Sequence, residues 1–288
     1  MLYADFPKRD QQAFMAAVKE KSGLTWDALA NRLGIHRSMI YSYRRAQSKL
    51  PYARYIELCV VGNVKPLKMN LLTIRNKAIP VRLPDGPTPL LAELLGVLAG
   101  DGHISRINHE VSITGDSLLD REYLTNHVPS LFWFSFKVST KTRFVRGRRA
   151  MRCLVNSARI VEYLTGECGL PLGKKKGNLH LPILLENDKA LLTCFLRGLF
   201  DTDGSVYMRR GKDAVVCVVS ADVVFLAEVR EALASLGFSP SVSGKNLFIY
   251  GNEQVGKFFE EIKPNNERHL KRYDRFIKEI LVLRSTHR

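Results

Sequence analysis

Apolar positions along the first sixty residues repeat at helical spacing. In residues 10–21 (DQQAFMAAVKEK), Phe14, Ala17 and Val18 fall on one side, which predicts a helix. Thr25 stands where a helix N-cap belongs, and Leu29, Ala30 and Leu33 follow at the same spacing. Gly34 ends that segment at a position open to left-handed backbone. A further helix is predicted from about Arg37 to Arg45, with Ile40 and either Met39 or Tyr43 on its apolar side. Its polar side shows Arg37, Ser38, Tyr41, Ser42, Arg44 and Arg45. Short helix, glycine turn and basic, hydroxyl-rich helix together make a helix-turn-helix pattern. The competing reading is a plain helical hairpin with a solvated basic face.

Residues 61–89 break the periodicity. They hold five prolines, two glycines and one acidic residue, and read as a basic linker with one short strand or helix. The expected organisation is therefore a small all-α domain over 1–62, a linker over 63–88, and a larger domain over 89–288.

That larger domain contains an internal repeat. LLGVLAGDG (94–102) superimposes on LRGLFDTDG (196–204), pairing Gly96 with Gly198, Asp101 with Asp203 and Gly102 with Gly204. After each motif come two strand-like runs, a helix, two more strand-like runs and a closing helix. Each unit, about 89–190 and 191–288, is predicted as αββαββα, so the fold class is α+β with a pseudo-two-fold axis.

Composition narrows the function. The chain has 288 residues, 44 Lys+Arg against 28 Asp+Glu, and a net charge of +16. The surplus is spread: +5 over residues 1–60, +4 over 61–90, +4 over 91–190 and +3 over 191–288. A polyanionic partner, double-stranded DNA before a membrane, is expected. With 45% hydrophobic residues the chain buries a core, which excludes global disorder. No apolar run of about 18 residues and no signal-peptide order appear, so a cytoplasmic, nucleoid-associated location without a membrane anchor is expected. Five cysteines without a CxxC pair argue against a zinc site or a disulfide framework.

Why would two apolar helices each carry a glycine and end in DG? Glycine in a helix costs about 1 kcal/mol against alanine, which makes sense where two backbones must approach closely. Gly96 and Gly198 are the candidates for that crossing. Helices packed there would bring Asp101 and Asp203 together at their C-terminal ends. Two close carboxylates at the negative ends of two helix dipoles call for a cation. A hard divalent ion, Mg²⁺ or Mn²⁺, with oxygen ligands from Asp101, Asp203 and the carbonyls of Gly100 and Thr202 is expected. The bland alternative is a pair of C-cap turn residues.

These residues also carry two resemblances. LLGVLAGDG and LRGLFDTDG resemble the LAGLIDADG motif of homing endonucleases in its two-motif, monomeric form, over residues 89–288. The segment GLPLGKKKGNLHLPILLENDKALLTCFLRGLFDTDGSVY is similar to the dodecapeptide branch of that family. The resemblance implies a saddle of two sheets lying in the DNA major groove, and magnesium-dependent double-strand cleavage with Asp101 and Asp203 each acting on one strand. Two departures stand out. Ala99 replaces the first aspartate of the motif, and Asp116 and Ala221 stand where many active members carry a lysine. Residues 10–60 resemble a Cro/repressor helix-turn-helix through Leu24, Thr25, Leu29, Ala30, Leu33, Gly34, Ile35, Ser38, Ile40 and Tyr43. That implies a second helix in the major groove, with Arg44 and Arg45 on phosphates.

Basic runs supply the remaining candidates. Residues 137–152 hold seven basic residues and no acid. Lys141, Arg143, Arg146, Arg148, Arg149 and Arg152 lie on a predicted hairpin suited to phosphates and guanine edges. Arg209, Arg210 and Lys212 form the corresponding turn of the second unit. Lys174, Lys175 and Lys176, in a loop between glycines, read equally as phosphate contacts or as solvated loop. His103 reads as a strand surface residue, and Phe132, Trp133, Phe134 and Phe136 as core. The leading expectation is a site-specific DNA endonuclease of the intron-homing kind. The alternatives are a non-cleaving transcriptional regulator on a nuclease scaffold and, less favoured, an RNA maturase. A complete intein is not expected, since the chain begins with Met1 and ends STHR.

Overall fold

The structure, a computed structural model, describes residues 2–4, 6–66, 71–73, 81–210 and 213–286. The chain divides into two compact units, Met1–Ala78 and Ile79–Arg288.

The first unit runs β1 (Leu2–Ala4), α1 (Lys8–Ser22), α2 (Trp26–Arg32), α3 (Arg37–Arg44), β2 (Leu50–Pro51), α4 (Tyr52–Val61) and β3 (Leu71–Thr73). Gly23, at φ 66°, stops α1. Thr25 caps α2 by accepting from Ala28 N at 3.2 Å. Gly34, at φ 61°, makes the turn into α3. Phe14, Met15, Val18, Leu29, Ile40, Tyr43 and Tyr55 close the core. Tyr43 is buried on α3, whereas Met39 is exposed. The buried Gln11 side chain ties α1 to the segment after α3, donating to Tyr43 O at 2.8 Å and Ser48 O at 3.0 Å. One difference from the sequence expectation is the antiparallel sheet β2-β1-β3, which makes the unit other than all-α. Strands of two or three residues are too short to display an alternation.

The second unit holds two repeats. The first comprises α5 (Pro89–Ala99), β4 (Gly102–Ile104), β5 (Glu110–Asp116), a π-helical turn (Tyr123–His127) entering α6 (Val128–Phe136), β6 (Lys141–Phe144), β7 (Ala150–Asn156) and α7 (Ala158–Gly166). The second comprises α8 (Lys189–Asp203), β8 (Gly204–Arg209), β9 (Asp213–Val219), α9 (Val223–Ser235), β10 (Ser241–Ser243), β11 (Asn246–Tyr250) and α10 (Asn252–Glu261). An additional helix, α11 (Glu267–Thr286), follows. The sheets are antiparallel with the same order, β4-β5-β7-β6 and β8-β9-β11-β10. The fold is α+β, with the expected αββαββα order in both repeats.

Caps set the helix starts. Thr88 accepts from Leu91 N, and Asp188 from Ala190 N and Leu191 N. Every α5 residue from Leu91 to Ala99 is buried, as befits a helix apolar on all sides. Val81 also joins this core, and Arg82 N donates to Phe136 O at 3.1 Å, so the second unit begins ahead of residue 89.

Candidate functional site

The site forms where α5 crosses α8. A β-carbon on Gly96 would overlap the Phe195 carbonyl and lie 2.8 Å from Leu199 N. One on Gly198 would overlap the Glu93 carbonyl and lie 2.8 Å from Val97 N. Only glycine permits backbones this close. The approach is reciprocal, so the two helix ends emerge side by side.

Below the crossing, the buried Glu93 carboxylate knits the helices together. His127 Nε2 lies 2.5 Å from it, Asn265 Nδ2 donates at 2.8 Å and Arg197 at 3.2 Å. Burial alone would raise this carboxyl; His127, Arg197 and Asn265 hold it below its ordinary value.

Asp101 and Asp203 stand at the two helix ends. Burial pushes the Asp101 carboxyl up, with Arg268 and Lys175 pulling the other way. Asp203 is pushed up to about 7, first by burial and then by Asp101, against Lys175 and Arg268. The pair thus shares two cations, neither of which the sequence pattern marks as part of the centre.

Those cations sit in corresponding places. Lys175 Nζ donates to Ala99 O at 3.1 Å and to Gly100 O. Arg268 donates to Asp201 O at 3.3 Å and to Thr202 O at 2.6 Å. By the repeat, Ala99 and Gly100 correspond to Asp201 and Thr202, so each helix ends on two carbonyls capped by one cation. Lys175 projects from a loop bracketed by Gly173 and Gly177, at φ 87° and 80°, while Lys174 and Lys176 face solvent. Burial lowers the Lys175 ammonium, and Asp203 and Asp101 oppose that.

Asp201 and Ala99 break the symmetry. Asp201 is fully buried, and its carboxyl accepts from the backbone N–H groups of Asn265 and Asn266 at 3.0 Å. This holds the turn into α11 and so places Arg268. Arg268 also pairs with the buried Asp120 at 3.0 Å and donates to His269 Nε2 at 3.1 Å. Burial holds His269 neutral, with a pKa lowered to about 3. Ala99 has no such role.

The two positions where the resemblance places a lysine are occupied otherwise. Asp116 Oδ1 caps the following turn, accepting from Leu118 N and Leu119 N, and pairs with Arg149 at 2.9 Å. Ala221 lies exposed ahead of α9.

Of the predicted basic residues, Lys141, Arg143 and Arg152 share the exposed face of the first sheet, and Arg146, Arg148 and Arg149 its exposed turn. Arg209 closes β8 over the Tyr250 ring at 4.8 Å, and Arg210 sits in the turn beyond. Lys212 lies outside the described residues. In the first unit, Arg37, Ser38, Arg44 and Arg45 are exposed. Arg37 pairs with Asp27 at 3.0 Å and stacks on Tyr41, and Arg44 covers Trp26 at 5.2 Å. Ser42 is half-buried and bonded to Ser48 at 2.7 Å.

The chain is similar to known proteins over part of its length. Residues 190–263 match the family model of the LAGLIDADG-like domain. That span holds α8, Asp201, Thr202 and Asp203. Among curated relatives, the replication factor C small subunit of Thermococcus kodakarensis is 30% identical over 196 residues, which is 65% of this chain and 21% of that protein. The glutamine–fructose-6-phosphate aminotransferase of Methanocaldococcus jannaschii is 23% identical over 231 residues, 78% of this chain and 20% of that protein. The chain thus spans about a fifth of the curated relatives it matches. Among solved structures, the homing endonuclease I-DmoI in complex with DNA and calcium is similar at 18% identity, covering 60% of this chain and 88% of that one, with a TM-score of 0.44. The N-terminal LAGLIDADG domain of WhiA is similar at 16% identity over 65% of this chain and 86% of that one, with a TM-score of 0.43.

Proposed function

We propose that the chain is a metal-dependent, site-specific DNA endonuclease with a helix-turn-helix DNA-binding head. The observation that carries this is the paired centre: Asp101 and Asp203, one from each repeat, beside Lys175 and Arg268. Curated relatives with unrelated names share only about a fifth of their length with this chain. The match therefore lends this chain none of those names, whereas a LAGLIDADG-like nuclease fits the repeat and its paired carboxylates.

The donor set suits a hard divalent ion, since two half-buried carboxylates, both raised by desolvation and Asp203 further by the charge of Asp101, are all-oxygen ligands. Asp101 and Asp203 would hold Mg²⁺ or Mn²⁺, which supplies Lewis-acid polarisation of a phosphoryl oxygen. The chain's own parts do the rest. The Lys175 ammonium and Arg268 guanidinium present positive charge to a phosphodiester at the helix ends. The Gly96–Gly198 crossing fixes the spacing of the carboxylates, and the exposed arginines of the first sheet draw the duplex in. In the head, α2 and α3 form the reading pair, with Arg37, Ser38, Tyr41, Arg44 and Arg45 toward DNA.

One observation favours a second reading, a non-cleaving DNA-binding regulator. The Gly100 and Thr202 carbonyls, expected to complete a metal shell, already accept from Lys175 and Arg268. Such a centre is neutralised from within. The test is cleavage of a randomised duplex library with Mg²⁺, with Asp203→Asn as control. Cut products that need both metal and Asp203 establish the endonuclease and yield its site. Tight, salt-sensitive binding without cutting establishes the regulator.

A further inference from the structure

The exposed faces of the two sheets carry different chemistry. On the first, strand register sets Thr114, Arg152 and Arg143 in one row. Lys141 is in the next row, and Arg146, Arg148 and Arg149 extend the positive charge into the turn. Two acids partly offset it: Glu110 lies 3.5 Å from Arg152 and 3.9 Å from Arg143, and Asp116 lies 2.9 Å from Arg149.

On the second, the corresponding rows are Ser205, Cys217, Phe248 and Ser241, then Tyr207, Val215 and Tyr250. Among the described residues the charge on this face is one pair, Arg209 with Asp213 at 3.6 Å, with Arg210 in the turn beyond β8 and Lys245 in the turn between β10 and β11. Phe248 and Tyr250 are two residues apart on one strand, with rings stacked at 5.5 Å and 23°. Rings so arranged stand on edge from the sheet, and the Arg209 guanidinium covers Tyr250. They offer edges to a partner, not a flat platform for an unpaired base to stack on. Hydroxyl and amide groups of Ser205, Ser241, Ser243 and Asn246 surround them on the same face.

We propose that the two sheets read half-sites of opposite composition: the first a G-rich half through Arg143 and Arg152, the second an A·T-rich half through Tyr207, Phe248 and Tyr250. Guanidinium groups match the paired acceptors of guanine. Apolar ring edges match the thymine methyl, and an asparagine amide matches adenine. This rests on the reading of both sheets as DNA-facing. The target is accordingly asymmetric in base content.

The experiment is selection of a fully randomised duplex by the intact chain in EDTA, which leaves the strands whole, followed by salt titration on the selected sequence. The expected result is A·T enrichment in one half and guanine enrichment in the other. Phe248→Ala with Tyr250→Ala flattens the A·T half about tenfold, leaves the guanine half intact and leaves the salt slope unchanged. Arg143→Ala relaxes the guanine half and lowers the slope by about 1. Phe248→Leu, which still covers Cys217, separates lost contact from lost fold. Equal base content in both halves, or loss of preference in both halves from the aromatic variant, overturns the proposal while DNA binding stands. Failure to retain any duplex overturns the DNA-binding reading together with it.

Discussion

At the end of α8, the carbonyls of Asp201 and Thr202 accept from Arg268; at the end of α5, those of Ala99 and Gly100 accept from Lys175. Each helix thus finishes on two carbonyls and a carboxylate, the negative pole of its dipole, and each receives one cation. The support behind the cation differs. Arg268 is pinned by Asp120, by His269 and by a turn that Asp201 holds through two backbone N–H groups. Lys175 arrives on a flexible stem from a loop set by two glycines. The halves keep the charge pattern and differ in how firmly it is held. A planar, multiply bonded guanidinium acts as a fixed strut, and an ammonium on four methylenes stays free to follow a substrate.

The two carboxylates stand as equals in this contrast, and that is the first point to attack. Asp101→Asn and Asp203→Asn are each expected to lower cutting about 10³-fold and to leave duplex affinity within about threefold, as read by single-turnover cleavage and by filter binding. Normal cutting by either variant breaks the equality.

The cations are expected to part company. Arg268→Met removes the cation paired with the buried Asp120, which keeps its bonds from Asn266 Nδ2 and Asp116 N, and costs about 3 kcal/mol of stability in a denaturant titration. Lys175→Met leaves the denaturation midpoint nearly unmoved and slows cleavage about 100-fold. Equal destabilisation by both would make them equivalent clamps and erase the contrast.

At the crossing the halves are expected to agree again. Gly96→Ala and Gly198→Ala each force the helices apart and cost about 1–3 kcal/mol. Thermal melts showing one of them neutral would place the contact off the pseudo-axis.

The smallest effect is a pH dependence. Asp203 titrates near 7 when folded, against an ordinary value of 3.8. The folded chain therefore holds a proton that the unfolded chain releases from about pH 4 upward. Stability from this group is full below that, falls as pH rises toward 7, and is flat above. It is measured as wild-type Tm minus Asp203→Asn Tm, a difference expected to fall as pH rises from about 4 to about 7. Mg²⁺ added at pH 7.5 should reverse it, because a ligand of the folded state stabilises that state. A flat difference would mean that Lys175 and Arg268 already neutralise the pair.

What the sequence shows about this molecule is what lies close together along it. The repeat, the DG ends and the glycines at the crossing are local patterns, and the αββαββα order follows from them. The cations of the centre are not local. Lys175 reaches Ala99 across 76 residues, and nothing in KKK marks the middle lysine as the inward one. Asp116 and Ala221, where a lysine was sought, lie on different segments altogether. Helix α11 left a readable signal, with Leu270, Tyr273 and Phe276 at helical spacing. The αββαββα repeat closes with the helix before it, so Arg268 stayed hidden. The pairing of β1 with β2 and β3 in the first unit was hidden for the opposite reason, since elements so short have no period of their own.

The grip of Arg268 on Thr202 spans 66 residues of chain and also sets an order of events during synthesis. A polypeptide is made from its N-terminus. Both repeats leave the ribosome with Asp101, Lys175 and Asp203 already present, while the α8 carbonyls still lack their cap and Asp120 its partner. The centre is completed only after the turn at Asn265–Asn266 and the first residues of α11 have been added. A nascent chain therefore carries the parts of the site before it carries the site.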